Sequence, residues 1–309
     1  MAKNDREGPQ AGLPSDYGEP PLYAITGITG KVGGAVARTL LDANLPVRAV
    51  VRDARKGEIW DAQRCEVALA DISDRKALVA AFDGTEGVFV LIPPMFDPRP
   101  GFPEARSVSF ALKSALETAR PQKVVCLSTI GAQAVHPNLL NQLGIMEQTH
   151  GTLNTPIAFL RAAWFMENFA WDVTPARDKG MISSFLQALD KPFPMVATAD
   201  IGLVAARLLR ETWSGRQIVE LEGPRRRTPS DVAATFSEIL CKPAGVEVVP
   251  RETWEELFAS QGMKNPTPRI QMLDGFNQGW IEFEGGEAGF EKGSTELATV
   301  LRNLVENNG

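Results

Sequence analysis

Residues 22–33, which read LYAITGITGKVG, decide how this chain folds. Residues 22–26 are apolar or favour β structure and predict a short buried strand, and residues 32–44 carry apolar side chains at helical spacing. Between these segments glycines recur at every third position, at Gly27, Gly30 and Gly33. In a strand–turn–helix context, such glycines permit a tight turn, close approach of a pyrophosphate and tight packing of the helix on the strand. The stretch therefore predicts a dinucleotide whose diphosphate lies at the N-terminus of the helix.

The end of the next strand carries the residue that would distinguish the two nicotinamide dinucleotides. Residues 47–51 predict a strand, and Arg52 follows it about 20 residues beyond the glycines, where such folds keep their ribose-recognising residue. Arg52, with Lys56 shortly after it, suits a 2′-phosphate, so we expect NADP(H) to be preferred. Asp53 keeps NAD(H) open as the alternative, and a solvated loop cation is the alternative interpretation of Arg52.

Strand and helix patterns alternate along most of the chain. Further strands are expected over residues 66–70, 87–92, 123–128 and 156–161, and helices over residues 74–82, 104–119 and 137–150. This order predicts an α/β fold with a doubly wound parallel sheet, the Rossmann architecture, joined by right-handed crossovers. The remainder is less regular, with a hairpin expected over residues 181–197, and predicts a smaller C-terminal α/β lobe that covers the mouth of the sheet.

These patterns divide the chain into three parts. Residues 1–21 are polar and rich in Pro and Gly, and we expect a disordered tail there. Residues 22–172 are expected to form the dinucleotide-binding domain, with residues 198–222 packing back onto it. Residues 173–309 otherwise form the substrate lobe or lid.

Residues at the carboxyl ends of the strands are site candidates, because ligands of a doubly wound sheet lie there. For the cofactor these candidates are Asp71, Ile72, Leu91, Ile92, Pro93 and Ser128. Asp71 would bond the adenine amino group, although capping of the next helix together with Ser73 explains it equally well. Ser128 would lie near the nicotinamide as a catalytic proton donor, and a strand-end cap is the alternative.

The segment after the sixth strand, residues 164–172, reads WFMENFAWD and is rich in aromatic side chains. Trp164 and Phe165 predict either an aromatic wall over a substrate pocket or core packing between two subdomains. Glu147, on the helix before the sixth strand, is a candidate proton carrier in that pocket. A glutamate that is solvated or paired along its own helix is the alternative.

Composition limits the classes of partner. The 309 residues carry a formal net charge of -6, so no global positive field attracts nucleic acid. The three cysteines are far apart, give no metal-ligand spacing and fit a reducing cytoplasm. No apolar run reaches the roughly 18 residues of a membrane span. We therefore expect a small-molecule substrate, no metal, no nucleic acid and no membrane, with a homodimer left open.

Six segments together resemble the NmrA-like family, a group of atypical members of the short-chain dehydrogenase/reductase superfamily. They are ITGITGKVGGAVARTLL, VRAVVRD, VCLSTIGA, AFLRAAWFMENF, ADIGLVAARLL and KGSTELATVL, of which the fourth is the most diagnostic. The resemblance implies NADP(H), or sometimes NAD(H), along the strand ends, in quinone or dye reductases and in regulators without turnover. It places Phe165 and Asn168 near the nicotinamide. The dinucleotide-holding residues that it implies are Gly27, Thr29, Gly30, Lys31, Val32, Gly33 and Arg52.

One departure from the superfamily concerns the catalytic acid. Ordinary short-chain dehydrogenases use a Tyr-x-x-x-Lys pair, and neither Tyr17 nor Tyr23 has a lysine four residues later. Two functions stay open. In the first, an oxidoreductase passes hydride from NADPH to a quinone-like or other unsaturated aromatic molecule, and the proton comes from water or from Ser128. In the second, the protein is a non-catalytic, dinucleotide-sensing regulator.

Overall fold

The computed structural model describes residues 20–286 and 289–307. Residues 1–19 of the expected tail lie outside the described residues. The strands are β1 (Tyr23–Ile25), β2 (Val47–Val51), β3 (Glu66–Leu69), β4 (Gly87–Val90), β5 (Lys123–Thr129), β6 (Ile157–Ala162), β7 (Trp164–Phe165), β8 (Met181–Ser184), β9 (Met195–Val196), β10 (Arg216–Glu222), β11 (Gly245–Val248) and β12 (Glu291–Lys292). The α-helices are α1 (Lys31–Asp42), α2 (Ala54–Asp61), α3 (Arg75–Phe82), α4 (Pro103–Ala119), α5 (Asn141–His150), α6 (Val173–Lys179), α7 (Thr198–Arg210), α8 (Pro229–Leu240), α9 (Trp254–Ser260), α10 (Thr267–Gln278) and α11 (Leu297–Asn307).

Eight strands pair in parallel to form the central sheet, in the order β12-β10-β6-β5-β4-β1-β2-β3. The strands β4 and β6 are buried along their whole length, because helices cover both faces of the sheet. One core lies between the sheet and α3, α4 and α5, and the other between the sheet and α1 and α7. The prediction of a doubly wound parallel sheet is confirmed.

Helix α7 and strand β10 lie against the N-terminal part of the chain. The helix packs on α1 so closely that a Cβ at Gly202 would lie 2.6 Å from the Cβ of Ala35. The strand β10 pairs with β6 along Arg216–Leu221, in line with Ile157–Ala162. The last sheet strand, β12, continues this edge beside β10.

Several helix boundaries follow from capping. The Asp74 side chain accepts hydrogen bonds from the backbone N–H groups of Lys76 and Ala77 and so begins α3. Thr228 and Asp231 form a reciprocal capping box at the start of α8. The helix α2, which the sequence patterns did not reveal, begins in the same way at Asp53.

The expected hairpin over residues 181–197 is wrong. The strand β8 pairs in parallel with β11, and β9 pairs in parallel with β7, so the two strands of the segment have different partners. Apolar alternation over this segment suits any half-buried strand, and the pairing is set by chain segments 31 to 64 residues away.

Within residues 20–286 and 289–307, none of the helices combines the length and the apolar character that crossing a membrane requires. The cytoplasmic location stays a prediction.

Candidate dinucleotide and substrate site

The glycine loop is fixed to the neighbouring strand by a buried threonine. Thr26 Oγ1 donates to the carbonyl oxygen of Phe89 at 3.1 Å and accepts the backbone N–H of Leu91 at 2.8 Å. These bonds join the carboxyl ends of β1 and β4. Gly27 then turns the chain with a φ of +63°, and a Cβ there would lie 3.1 Å from the Leu91 side chain. The turn therefore needs a glycine for its conformation and for its contact with β4.

The first helix begins without a side-chain cap. Its N-cap, Gly30, makes no side-chain hydrogen bond, and the first turn holds no acidic residue. Gly33 packs on the turn after β1 so tightly that a Cβ would lie 2.3 Å from the carbonyl oxygen of Gly27. Thr29, Gly30 and Lys31 are exposed, whereas Val32 is buried. Unpaired N–H groups and the positive end of a helix dipole thus face an accessible loop, which fits a dinucleotide diphosphate.

The end of β2 carries an exposed cation and an acid that is engaged as a helix cap. Asp53, which kept NAD(H) open, accepts the backbone N–H of Arg55 at 3.0 Å as the cap of α2. Arg52 and Lys56 are exposed, and no described carboxylate lies within ion-pair distance of Arg52. Asp71 accepts both the N–H and the hydroxyl of Ser73, at 2.9 and 2.5 Å. These bonds, and more weakly the charge of Arg52, lower the pKa of Asp71.

The other predicted cofactor residues surround the same edge of the sheet. Ile72 is half-buried behind Asp71. After β4, Leu91 is half-buried against Gly27, Ile92 is buried and Pro93 is exposed. Their contact with a cofactor stays a prediction.

Lys31 connects the glycine loop to the aromatic segment. Its Nζ donates to the carbonyl oxygen of Glu167 at 3.2 Å, across 136 residues of sequence. Glu167 lies in a 3-10 helix, Met166–Asp172, and its carboxylate accepts the N–H and hydroxyl of Thr198 at the start of α7. The glycine loop, the aromatic segment and α7 therefore meet at one place.

The aromatic segment is divided between packing and exposure. The Trp164 ring meets Phe276 edge-on, with centroids 5.4 Å apart, and Phe165 is half-buried beside it. Trp164 Nε1 is buried and has no hydrogen-bond partner among the described residues. Asn168 is exposed, and Trp171 keeps 85% of its surface exposed. Trp164 and Phe165 thus join the core of the lobe on one side, and a role in a substrate pocket stays a prediction for them and for Asn168.

A buried ion-pair cluster lies at the carboxyl ends of β5, β6 and β10. Arg161 donates to both carboxylate oxygens of Glu147, from Nε at 2.9 Å and from Nη2 at 2.7 Å. Ser128 lies in β5, opposite Arg161 of β6, and its hydroxyl donates to the same carboxylate at 2.5 Å. Glu147 is therefore neither solvated nor paired along its own helix, because it bridges α5 to two strands.

Two further glutamates complete the cluster. Arg161 Nη1 lies 3.5 Å from Glu220 and also pairs with Glu284 of the C-terminal segment. Glu220 in turn accepts the backbone N–H groups of Glu284 and Gly285, each at 2.9 Å. Burial alone would lower the pKa of Arg161, but hydrogen bonds and charge from Glu147 and Glu284 outweigh it and raise that pKa. The guanidinium is thus permanently charged and fixes the C-terminal segment against the sheet.

Sequence reasoning missed Arg161, Glu220 and Glu284 as parts of the site. Their signal was present, because Arg161 and Glu220 interrupt the apolar strands IAFLRA and QIVELE near the ends where ligands bind. Tyr23 is buried within β1, which removes it as an acid, and Tyr17 lies outside the described residues. No group of three or more residues that could hold a metal occurs within the described part of the chain.

The fold and the loop together define an NAD(P)H-binding protein of the Rossmann class. Residues 27–153 match the family model described as NAD(P)H-binding. The chain is 27% identical over 243 residues to an NAD(P)H azoreductase of Xenophilus azovorans, covering 78% of this chain and 82% of that protein. It is 26% identical over 242 residues to quinone oxidoreductase 2 of Escherichia coli, covering 77% and 80%.

A solved structure shares the fold over nearly the whole chain. It is the NADPH complex of the NADPH-dependent quinone oxidoreductase QOR2 from Escherichia coli, with a TM-score of 0.75 at 21% identity, covering 93% of this chain and all of the other. Residues 27–153 thus carry an NAD(P)H-binding domain, and the resemblance to the NmrA-like family is confirmed.

Proposed function

We propose that this protein is an NADPH-dependent oxidoreductase that transfers hydride to a quinone-like or azo-type aromatic molecule. The observation that carries the proposal is the uncapped glycine loop, which contacts Leu91 after β4 and is joined through Lys31 to Glu167 in the segment that follows Trp164 and Phe165. Relatives that reduce azo compounds and quinones support the same acceptor class.

The glycine loop, Arg52 and the aromatic residues near β7 each have a separate role. The N–H groups of the glycine loop would hold the diphosphate, and Arg52 would pair with the 2′-phosphate, which favours NADPH over NADH. The nicotinamide, when bound, supplies the hydride, so the chain needs to align the reactants and exclude water. The aromatic and apolar residues near β7 would provide a flat, dry surface for the acceptor.

Ser128 is poorly placed to supply the proton. Ser128 is 3% exposed, and its hydroxyl already donates to the Glu147 carboxylate, which also accepts two hydrogen bonds from Arg161. Loss of the Ser128 proton would leave an alkoxide beside that carboxylate, an arrangement that Coulomb repulsion disfavours. We therefore propose that Ser128 orients Glu147, and that the proton comes from solvent or from a group outside the cluster.

A dinucleotide sensor is the second candidate, and one observation favours it. The Lys31 side chain ties the glycine loop to Glu167 in the segment that leads to the lobe. A diphosphate bound at the loop would compete for the Lys31 ammonium and break its hydrogen bond to Glu167. Binding of the dinucleotide would thereby change the contacts of the lobe without any reaction.

Turnover separates the two candidates. The protein is mixed with NADPH and, in separate reactions, with a benzoquinone, a naphthoquinone and a neutral azo dye, while the nicotinamide absorbance is followed. Sustained NADPH oxidation that depends on the acceptor supports the reductase. Tight binding of both NADPH and NADP⁺ with no oxidation for any acceptor would refute the reductase and leave the sensor.

A further inference from the structure

The loop between β5 and α5, residues 130–140, carries an imidazole at the place where the sheet meets the C-terminal lobe. His136 is exposed, and its ring lies 5.0 Å from that of Trp280, with the planes inclined at 45°. No described residue hydrogen-bonds to the imidazole nitrogens. The ring is therefore oriented by an aromatic contact while both nitrogens stay available to a ligand.

A buried asparagine fixes the backbone of this residue. Asn138 is 1% exposed, and its Nδ2 donates to the carbonyl oxygen of His136 at 2.8 Å. Its Oδ1 accepts the N–H of Leu140, and its own N–H donates to Asn141 Oδ1, each at 2.7 Å. Asn141 also donates to the Ala134 carbonyl oxygen at 3.1 Å. Such a network holds the backbone that carries His136 in one conformation.

The same loop is attached to the lobe on both sides of His136. Before it, Gln133 donates to the carbonyl oxygen of Glu282 at 2.7 Å, and a Cβ at Gly131 would lie 2.8 Å from Ile281. After it, the Leu139 N–H donates to the carbonyl oxygen of Pro268 at 2.9 Å. His136 thus lies at the junction that closes over the carboxyl end of β5, where the acceptor is expected.

The charged groups of the elements packed on this loop are already paired. On the C-terminal segment Glu282 pairs with Arg226, and Glu284 pairs with Arg161. On α10 Asp274 pairs with Arg251 and Arg269 lies over the Phe258 ring. The loop itself has no other titratable side chain. Apart from Arg269, His136 is therefore the titratable side chain among the described residues of this junction that has no ion-pair partner.

We propose that His136 is the proton donor of the reduction; the inference rests on the proposed function and deepens it. With an azo acceptor, hydride forms one N–H bond as the N=N π bond breaks, and the imidazolium proton forms the second N–H bond. The products are the hydrazo compound, the oxidised dinucleotide and neutral imidazole, which takes a proton from water. With a quinone the imidazolium proton goes to the oxyanion that hydride addition creates.

This role predicts an order among acceptors. An azo nitrogen anion is strongly basic, so its reduction depends most on an acid. A hydroquinone oxyanion is weakly basic and depends on it less. A cationic triarylmethyl dye becomes neutral when hydride adds to its central carbon, so it needs no proton.

The test compares wild type, His136→Gln and the neighbouring control Val135→Ala, whose side chain is 90% exposed. We expect His136→Gln to lower kcat/KM about 100-fold for the azo dye, less for a quinone and less than twofold for the cationic dye. Equal losses for all three acceptors, or no loss, would overturn the proposal.

A second measurement does not depend on turnover. The ¹⁵N signals of the two imidazoles are followed while a non-reactive phenolic product analogue is titrated into the protein without cofactor. We expect the His136 signals to shift and those of His150, which is buried, to stay. An unmoved His136 would overturn the proposal even if the reductase is active, whereas failure of every acceptor would refute the proposed function alone.

Discussion

The β1–β2 end and the β5–β6–β10 end of the central sheet use their charged side chains in opposite ways. At the β1–β2 end Gly30, Lys31 and Arg52 are exposed, and the acid nearest to Arg52 in sequence, Asp53, caps a helix. At the β5–β6–β10 end, Arg161 is buried among three glutamates that take up its hydrogen bonds. The first end keeps donors available for an anionic ligand, and the second uses them to hold the protein together. Substitutions at the second end should therefore affect stability, and those at the first should affect binding.

The largest effect is expected at Arg161. Arg161→Met would leave Glu147 and Glu220 buried without a counter-charge, which costs about 3–5 kcal/mol of unfolding free energy. The matched control is Arg207→Met, because Arg207 also pairs with two glutamates but its side chain is 40% exposed, and it should cost about 0–1 kcal/mol. Urea unfolding of both variants measures the difference. Equal losses would show that burial does not set the strength of the cluster.

A pH effect comes next, from the buried polar pair behind β5. His150 Nε2 lies 2.9 Å from the carbonyl oxygen of Ser109 and Nδ1 lies 3.6 Å from Cys126 Sγ, and burial lowers the pKa of His150 to about 4. The unfolded chain therefore binds a proton that the folded protein does not. The contribution of neutral, buried His150 to the free energy of unfolding is fully present above about pH 6.5, and it falls by about 3 kcal/mol as the pH drops towards 4.

The variant His150→Gln isolates this effect. Burial raises the pKa of Asp172 to about 6, and this carboxyl adds stability as the pH falls, so the wild-type curve alone is a sum of opposite contributions. The difference between wild type and His150→Gln, measured by unfolding from pH 7 to pH 4.5, should shrink steadily with falling pH. A difference that stays constant would contradict the neutral state of His150.

A smaller stability effect is expected at Gly33, with loss of binding. In Gly33→Ala the new Cβ would meet the Gly27 carbonyl oxygen at 2.3 Å, and relief of that contact costs about 1–3 kcal/mol and distorts the loop. NADPH affinity, measured by fluorescence titration, should fall about tenfold or more. Gly245→Ala is the control, because its Cβ would meet only the flexible Met181 side chain and the Gly180 carbonyl oxygen at 4.0 Å. NADPH binding that survives Gly33→Ala would place the dinucleotide elsewhere.

The smallest effect should be selective. Arg52→Ala is expected to weaken NADPH binding about tenfold and to leave NADH binding unchanged, since only NADPH carries the 2′-phosphate. Arg55→Ala is the comparison, because that side chain is 88% exposed and lies 3.7 Å from Asp53. Parallel titrations with both dinucleotides measure the effect. An equal loss for both would show that Arg52 does not read the phosphate.

Local pattern was enough to predict the sheet and the loop. Gly30 and Gly33 pack against Gly27 within the same short loop, and a buried strand such as β4 is recognisable as a continuous apolar run. The ion-pair cluster was not predictable in this way, because Glu147, Arg161, Glu220 and Glu284 meet only after the strand order is set. His136 was missed for a related reason, since a single histidine in a loop has no spacing to interpret until Asn138 and Trp280 are seen around it.

The way in which the C-terminal segment is attached affects how this protein can diversify. The carboxylates of Glu220 and Asp200 accept hydrogen bonds from the main-chain N–H groups of Glu284, Gly285 and Thr295. Every residue except proline offers such an N–H group, so these bonds do not depend on the side chains of the segment. The buried side chains of Ile281 and Phe283 add apolar packing to this attachment. Exposed side chains of the segment can therefore vary during evolution while the main-chain hydrogen bonds and the buried packing keep it attached.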